Sequence, residues 1–171
     1  MNNPQSERIV HPWPPFYSSN SRLLILGTIP SPASREMGFF YGHPQNIFWR
    51  ILAEVLDVPE PPRTIEARRL FLRENRIALW DVLHAATIVG AADASIRNPE
   101  PNIFSALLRA CDIQAIFTTG KQATRLFNEL CAAEAGIQAT YLPSTSPANR
   151  AAQAKPEFKA HWQKVAVVLR S

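Results

Sequence analysis

The sequence predicts an α/β fold: a single domain on a four-stranded, mostly parallel sheet with helices on both faces. Apolar runs of strand length occur at Arg22 to Leu26, Ile77 to Val82, Ile113 to Phe117 and Ile137 to Leu142, with helical segments between them. Strands that alternate with helices must be joined by crossovers, which set neighbouring strands parallel and leave helices on both sides of the sheet. The length of 171 residues fits one domain large enough to bury a core without disulfide or metal support.

Residues 1 to 20 contain four prolines and the cluster His11-Pro12-Trp13-Pro14-Pro15-Phe16-Tyr17, and read as an irregular strap ahead of one domain over residues 21 to 171. From Asn46 to Leu56, Ile47, Trp49, Ile51, Leu52 and Val55 recur at roughly helical spacing, with Pro44 suited to the first turn and Pro59-Glu60-Pro61-Pro62 as terminator. Thr64 to Glu74 reads as an amphipathic helix capped by Thr64. Ala85 to Asn98, rich in Ala and Gly, reads as a loop that could border a ligand pocket. Asn102 to Ala110 reads as a short helix, Lys121 to Ala135 as a helix ending at Gly136, and Pro156 to Leu169 as the last helix.

Composition narrows the functional classes. Apolar residues make up 46% of the chain, yet no uninterrupted run of about 18 exists, and MNNPQSERIV lacks the basic-then-apolar layout of a signal peptide. A cytoplasmic protein with no membrane partner is expected. Cys111 and Cys131 are the only cysteines, too few for an iron–sulfur cluster on four, and they read as reduced core residues. No spacing of His, Cys and carboxylates suits a metal, so neither metal nor cofactor is expected. Between Thr140 and Ser171, Arg150, Lys155, Lys159, Lys164 and Arg170 face only Glu157 and account for the net charge of +4. A basic C-terminal segment suits a polyanion, although a solvated helix face has the same pattern.

Ligands of α/β sheets bind beyond the carboxyl ends of the strands. Three such ends lead into eventful loops: Gly27 to Asn46, Thr118-Thr119-Gly120-Lys121, and Pro143 to Asn149. The first combines the Phe39-Phe40-Tyr41 run, which could stack on a flat ring, with the Asn46 amide, which could hydrogen-bond to it. That is a pocket for a nucleobase-like ligand.

Gly27-Thr28-Ile29-Pro30-Ser31, Gly38-Phe39-Phe40-Tyr41-Gly42-His43-Pro44-Gln45-Asn46 and Phe48-Trp49 together resemble the first motif of the uracil-DNA glycosylase superfamily, and within it the hypoxanthine-DNA (deoxyinosine) glycosylase family. Leu142-Pro143-Ser144-Thr145-Ser146-Pro147-Ala148-Asn149 is similar to the second motif, and Ala78-Leu79-Trp80-Asp81-Val82-Leu83 fits between them, so the resemblance covers essentially the whole chain. It implies a three-layer glycosylase sandwich and a monomeric enzyme of base excision repair. Such an enzyme flips a deaminated base, hypoxanthine first and uracil as rival, out of DNA and hydrolyses its glycosidic bond. Gly90, Asp93 and Ile96 also fit the pattern, whereas Ala86, Ile88 and Ala91 stand where a Cys, an Arg and a Ser are frequent, which bears on base preference.

Breaking a base–sugar bond leaves positive charge on the sugar and negative charge on the base, so the site needs a placed water and donors aimed at the base, not a strong general base. The resemblance assigns catalysis to Asn46, which could orient the water or bond the base edge. As residues alone, Asn46 equally suits a cap on the helix of Phe48 to Leu56. Gly27, Thr28, Ile29, Pro30, Phe39, Phe40, Tyr41 and His43 are expected around the base, with one aromatic stacking on it and the others packed beneath. A structural His43 bonded to the backbone is the plainer reading of that residue. Ser31, Lys121, Ser144, Thr145, Ser146, Pro147, Ala148 and Asn149 are expected to hold DNA phosphates, through hydroxyls, backbone N–H groups and one cation at a helix start. The Gly27 to Ser31 segment offers no carboxylate or amide, which leaves Asn46 as the main polar reader. The Gly27 to Asn46 loop has no lysine to form a Schiff base, which makes water the nucleophile. Rival readings are a uracil- or mismatch-specific glycosylase, a hydrolase of free nucleosides or nucleotides, and a non-catalytic nucleic-acid-binding module on the same scaffold.

Overall fold

The computed structural model describes residues 5–171. Its strands are β1 (Ser6–Val10), β2 (Leu23–Gly27), β3 (Ile77–Asp81), β4 (Leu83–Val89), β5 (Ala92–Pro101), β6 (Ala115–Thr119) and β7 (Ala139–Leu142). The central sheet has the order β3-β2-β6-β7 and is parallel throughout. Its four strands are the four apolar runs of the sequence, each displaced by no more than two residues at either end. β2 is the first of these four strands in the chain and lies between β3 and β6, so its carboxyl end is the point where the strand order reverses and a ligand crevice opens.

Alternate residues of β2 face opposite cores. Leu23 and Ile25 pack with helices α2 (Phe48–Val55), α3 (Ile65–Glu74) and α8 (Pro156–Arg170) on one face of the sheet. Leu24 and Leu26 pack on the other face with α4 (Ser105–Ala110), α5 (Lys121–Leu130) and α6 (Ala132–Ala135). All four residues are wholly buried, as a central strand covered on both sides requires. Thr64 caps α3 by accepting the Ala67 N–H at 3.0 Å. The helix read over Lys121 to Ala135 is interrupted at Cys131, and its second piece ends on Gly136 in the left-handed conformation (φ 73°). Cys111 and Cys131 are both buried and free, and burial pushes the Cys131 thiol up to about 11.

Two expectations are corrected. Ala85 to Asn98 is not a loop: β4 and β5 form an antiparallel hairpin, and Gly90 at φ 59° begins its two-residue turn. Ala-rich strands carry little β-propensity, and register irregularities break the alternation that would have marked them. The strap over residues 1 to 20 is not irregular throughout either, because β1 adds to the hairpin as a third strand and places Ile9 in the core. Beyond β1 the strap is irregular, and Phe16 and Leu79 exchange backbone hydrogen bonds of 2.9 Å in each direction. Residues 1 to 4 of the strap lie outside the described residues.

Candidate active site

The carboxyl ends of β2, β3, β6 and β7 open into one cavity of about 340 Å³, a size that suits a small ligand. Its floor is Gly27 and Thr28 at the end of β2. Ile29, Pro30 and Ser31 continue the wall into helix α1 (Pro32–Met37), a short element not visible in the sequence. Ser31 caps α1, its hydroxyl oxygen accepting the Ser34 N–H at 3.2 Å, and Ser34 Oγ accepts the Gly42 N–H at 3.0 Å. Gly38 ends α1 at φ 86°, a conformation that glycine adopts without penalty, and turns the aromatic run back toward the sheet.

The three aromatics separate. Phe39 does not line the cavity. It stacks on Trp49 at 6.2 Å and lies under the Arg69 guanidinium, 5.2 Å from its carbon, within the core beside α2 and α3. Phe40 and Tyr41 do line it. Tyr41 is held at φ 52°, stacks on Phe48 at 3.8 Å and places its hydroxyl 3.3 Å from Thr119 Oγ1. Burial, with the charge of Asp81 adding to it, raises the Tyr41 phenol far above its ordinary range, although the Thr119 contact works the other way. Phe40 meets Trp13 and Phe39 edge to face and the His11 ring at a tilt of 48°, so no parallel ring claims either of its faces. Adjacent residues thus differ in role because the chain reverses at Gly38, and spacing in the sequence carries no sign of that.

Asn46 lines the cavity, and although Ile47 holds the N-cap position of α2 and makes no side-chain cap bond, Asn46 Oδ1 from one residue earlier accepts the first N–H of the helix, that of Phe48, at 2.9 Å. The two readings of this residue therefore describe one geometry. The cap engages the oxygen and fixes the rotamer, which leaves the amide N–H groups as the end available to a ligand. His43 Nδ1 accepts the Gln45 N–H at 3.0 Å, as the structural reading expects, and the residue still borders the cavity.

The second motif closes the opposite wall with Ser144, Thr145, Ser146, Pro147 and Ala148. Its shape is set from several sides. The Thr145 carbonyl accepts the Ile47 N–H at 3.1 Å, and the Ser144 carbonyl accepts Asn149 Nδ2 at 2.9 Å and Gln153 Nε2 at 3.1 Å. Asn149 thus braces the loop and does not line the cavity, and Lys121 is exposed at the start of α5 and does not line it either.

The cavity also holds Ser34, Asp81, Ala91, Asp93 and Thr119, to which the sequence reading assigned no individual role, although Ser34 and Thr119 fall in two of its ligand loops and Ala91 and Asp93 in the segment it expected could border the pocket. Asp81 ends β3 in register with Gly27, is 5% exposed and bonds His11 Nε2 at 2.7 Å. Asp93, just past the hairpin turn, is exposed as a residue but accepts the buried Thr28 hydroxyl at 3.3 Å. Burial raises the Asp93 carboxyl above the usual carboxylate range; the Thr28 bond works against this shift and the charge of Asp81 reinforces it. Asn46 is therefore not the main polar reader by default. The carboxyl-end rule, applied to Ile77 to Val82, would have found Asp81. Asp93 fits the family pattern in a segment expected to border the pocket, but with its strand read as a loop nothing fixed which way its side chain faces. Among the described residues no three His, Cys, Asp or Glu side chains come together to hold a metal. Any activity of this cavity is expected to survive prolonged chelation, and activity restored by added zinc or magnesium would contradict that.

Comparisons with known proteins agree on what this chain is similar to. The family model of the uracil DNA glycosylase superfamily matches residues 14–169. A protein of Methanosarcina barkeri named hypoxanthine DNA glycosylase is 34% identical over 139 residues, covering 81% of this chain and 87% of that protein. Its namesake from Methanosarcina acetivorans is 33% identical over the same shares. A solution NMR structure from Methanosarcina acetivorans, provisionally described as a uracil DNA glycosylase, superposes with a TM-score of 0.79 at 31% identity, over 93% of this chain and 97% of that one. Among the described residues no helix is long and apolar enough to cross a membrane.

Proposed function

We propose, from the premise that the chain belongs to the uracil DNA glycosylase superfamily and is a DNA glycosylase, that it takes a deaminated base from DNA and releases it by hydrolysis, with hypoxanthine preferred over uracil. The observation that carries this reading is the state of Asn46: it lines a cavity walled by Phe40 with its oxygen spent on the Phe48 N–H, which leaves its amide N–H groups as the free end of the side chain. A donor fixed in this way can hold a water or the base edge without reorganising as charge develops. Phe40 is the residue we assign to stacking on the flipped base: it is packed in the same core as Phe39 but, unlike Phe39, borders the cavity, and Tyr41 already stacks on Phe48. No lysine lines the cavity, which supports water over an amine as nucleophile and a monofunctional enzyme.

Preference for hypoxanthine rests on the relatives' names and on physical grounds. A purine gains more from stacking than a pyrimidine, and hypoxanthine pairs poorly in a duplex, which lowers the work of extrusion. We place Ser144, Thr145, Ser146, Ala148 and Ser31 at the phosphates around the flipped nucleotide, with Lys121 as an outlying cation, and the protein as a cytoplasmic monomer in base excision repair. Lys121→Gln is expected to weaken binding about equally on every sequence and to flatten the dependence of affinity on salt by roughly one counterion. An unchanged salt slope would make Lys121 a solvated surface residue.

Incubation with oligonucleotides that each carry one deoxyinosine, deoxyuridine or deoxyxanthosine, followed by alkali cleavage, tests the reading. Strand cleavage at deoxyinosine is expected. Cleavage at none of the three would end it in favour of a non-catalytic binding module.

A further inference from the structure

We infer that Arg63, Arg68 and Arg69, on the cavity side of α3, form a second DNA contact that grips the phosphates of the duplex arm on one side of the extruded nucleotide. The inference rests on the glycosylase reading above and extends it from the cavity to the surface beside it.

α3 seats three guanidinium groups on aromatic rings. Arg68 lies over Trp49 at 5.0 Å, Arg69 over Phe39 at 5.2 Å and Arg73 over Phe16 at 5.8 Å. Among the described residues no carboxylate comes within ion-pair distance of these arginines or of Arg63, although Glu66 and Glu74 belong to the same helix. By contrast, Arg8, Arg125 and Arg170 each have a carboxylate oxygen within 3.0 Å. A guanidinium that rests on a ring keeps the N–H donors of its own plane for phosphate oxygens, and its seat has already removed part of the freedom that binding would cost. Arg68 Nε donates to the Pro62 carbonyl at 3.3 Å and Nη1 to Met37 Sδ at 3.4 Å, while Nη2 has no partner among the described residues. Arg63 is exposed just ahead of the Thr64 cap, where a cation opposes the helix dipole, so α3 itself gains nothing from that charge.

The cluster adjoins the cavity. Met37, which accepts the Arg68 bond, ends α1, and Ser34 of that helix lines the cavity. Met37 also packs closely on Gly42, between the cavity residues Tyr41 and His43, so that a Cβ there would lie 3.1 Å from its sulfur. α3 runs away from the cavity: Glu74 leads through Asn75 and Arg76 into β3, which returns to Asp81 at the cavity floor. Arg63, Arg68 and Arg69 therefore stand nearer the mouth, and Arg73 lies about 7.5 Å further along the helix axis than Arg68. Ser144 to Ala148 close the opposite wall. A duplex with one nucleotide in the cavity must leave on both sides of it, and on the α3 side it meets positive charge that the chain itself does not neutralise.

The test is fluorescence anisotropy with duplexes that carry one tetrahydrofuran abasic site, with full arms on both sides or with the 5′ or the 3′ arm cut back to a few base pairs. On the full duplex Arg68→Gln is expected to weaken binding about tenfold at low salt and to flatten the slope of log affinity against log salt by about one. Arg68→Lys, which keeps the charge, should restore most of the slope. The loss must vanish on one of the shortened duplexes and persist on the other. Arg63→Gln, a change at an exposed residue, is expected to give the same one-sided loss and decides the matter if Arg68→Gln lowers the melting temperature. Arg73→Gln empties a similar aromatic seat farther from the mouth and should change affinity by less than about twofold. An unchanged slope in Arg68→Gln and Arg63→Gln, a loss that persists on both shortened duplexes, or an equal loss in Arg73→Gln overturns the inference. Wild-type protein that releases no base from deoxyinosine or deoxyuridine duplexes would instead overturn the glycosylase reading, before any variant is compared.

Discussion

Asn46→Asp is expected to lower the rate of base release by about a hundredfold or more, the usual consequence of removing one oriented donor, while leaving thermal stability unchanged or slightly higher. The reason is the division of labour within this side chain. The oxygen that accepts the Phe48 N–H survives the change, and a carboxylate at the start of α2 is favoured by the helix dipole. What disappears is the pair of amide N–H donors at the cavity. Asn46→Ala removes both functions, so it should lose a similar factor in rate and also about 1 kcal/mol of stability through the missing cap. Single-turnover kinetics and thermal melts on the two variants separate the roles. A folded Asn46→Asp with near wild-type activity would show that Asn46 serves α2 alone.

Gly27→Ala is expected to be nearly as damaging, for a steric reason. A Cβ at this position would come within 2.6 Å of Asp81 Oδ1 and 3.4 Å of the Tyr41 hydroxyl, and neither side chain is free to retreat. Asp81 is held by His11, and Tyr41 by Phe48 and Thr119. Displacing a site group by about an ångström can reduce turnover roughly a hundredfold, and crowding a packed interior typically takes about 1–3 kcal/mol from stability. Kinetics on the soluble variant, alongside its melting temperature, decide the matter. Full activity would show that the floor of the cavity tolerates a methyl group and does not fix Asp81.

Much of this architecture was legible before any coordinates. Leu23 to Leu26 reads as a buried central strand because nothing polar interrupts it, and the breaks at Pro59 to Pro62 and Gly136 announce themselves. The hairpin of β4 and β5 was not legible, since Ala, Gly and small polar residues give no alternation strong enough to mark a strand. The site divided in the same way. Gly27 to Ser31, Phe40, Tyr41, His43, Asn46 and Ser144 to Ala148 do share one cavity, because each follows or neighbours the carboxyl end of a strand. Phe39 differs from Phe40 only in which way the chain faces after Gly38, which sequence does not encode locally. His11 and Asp81 are separated by 70 positions and meet only because the strap crosses beside β3, so no local pattern could have paired them.

The most direct test of the account is the single-turnover rate of free base released from matched duplexes that differ only in carrying deoxyinosine or deoxyuridine. The pocket described here predicts that hypoxanthine leaves faster, with slower but measurable loss of uracil. Faster release of uracil would contradict the hypoxanthine preference and leave a uracil-directed glycosylase in its place.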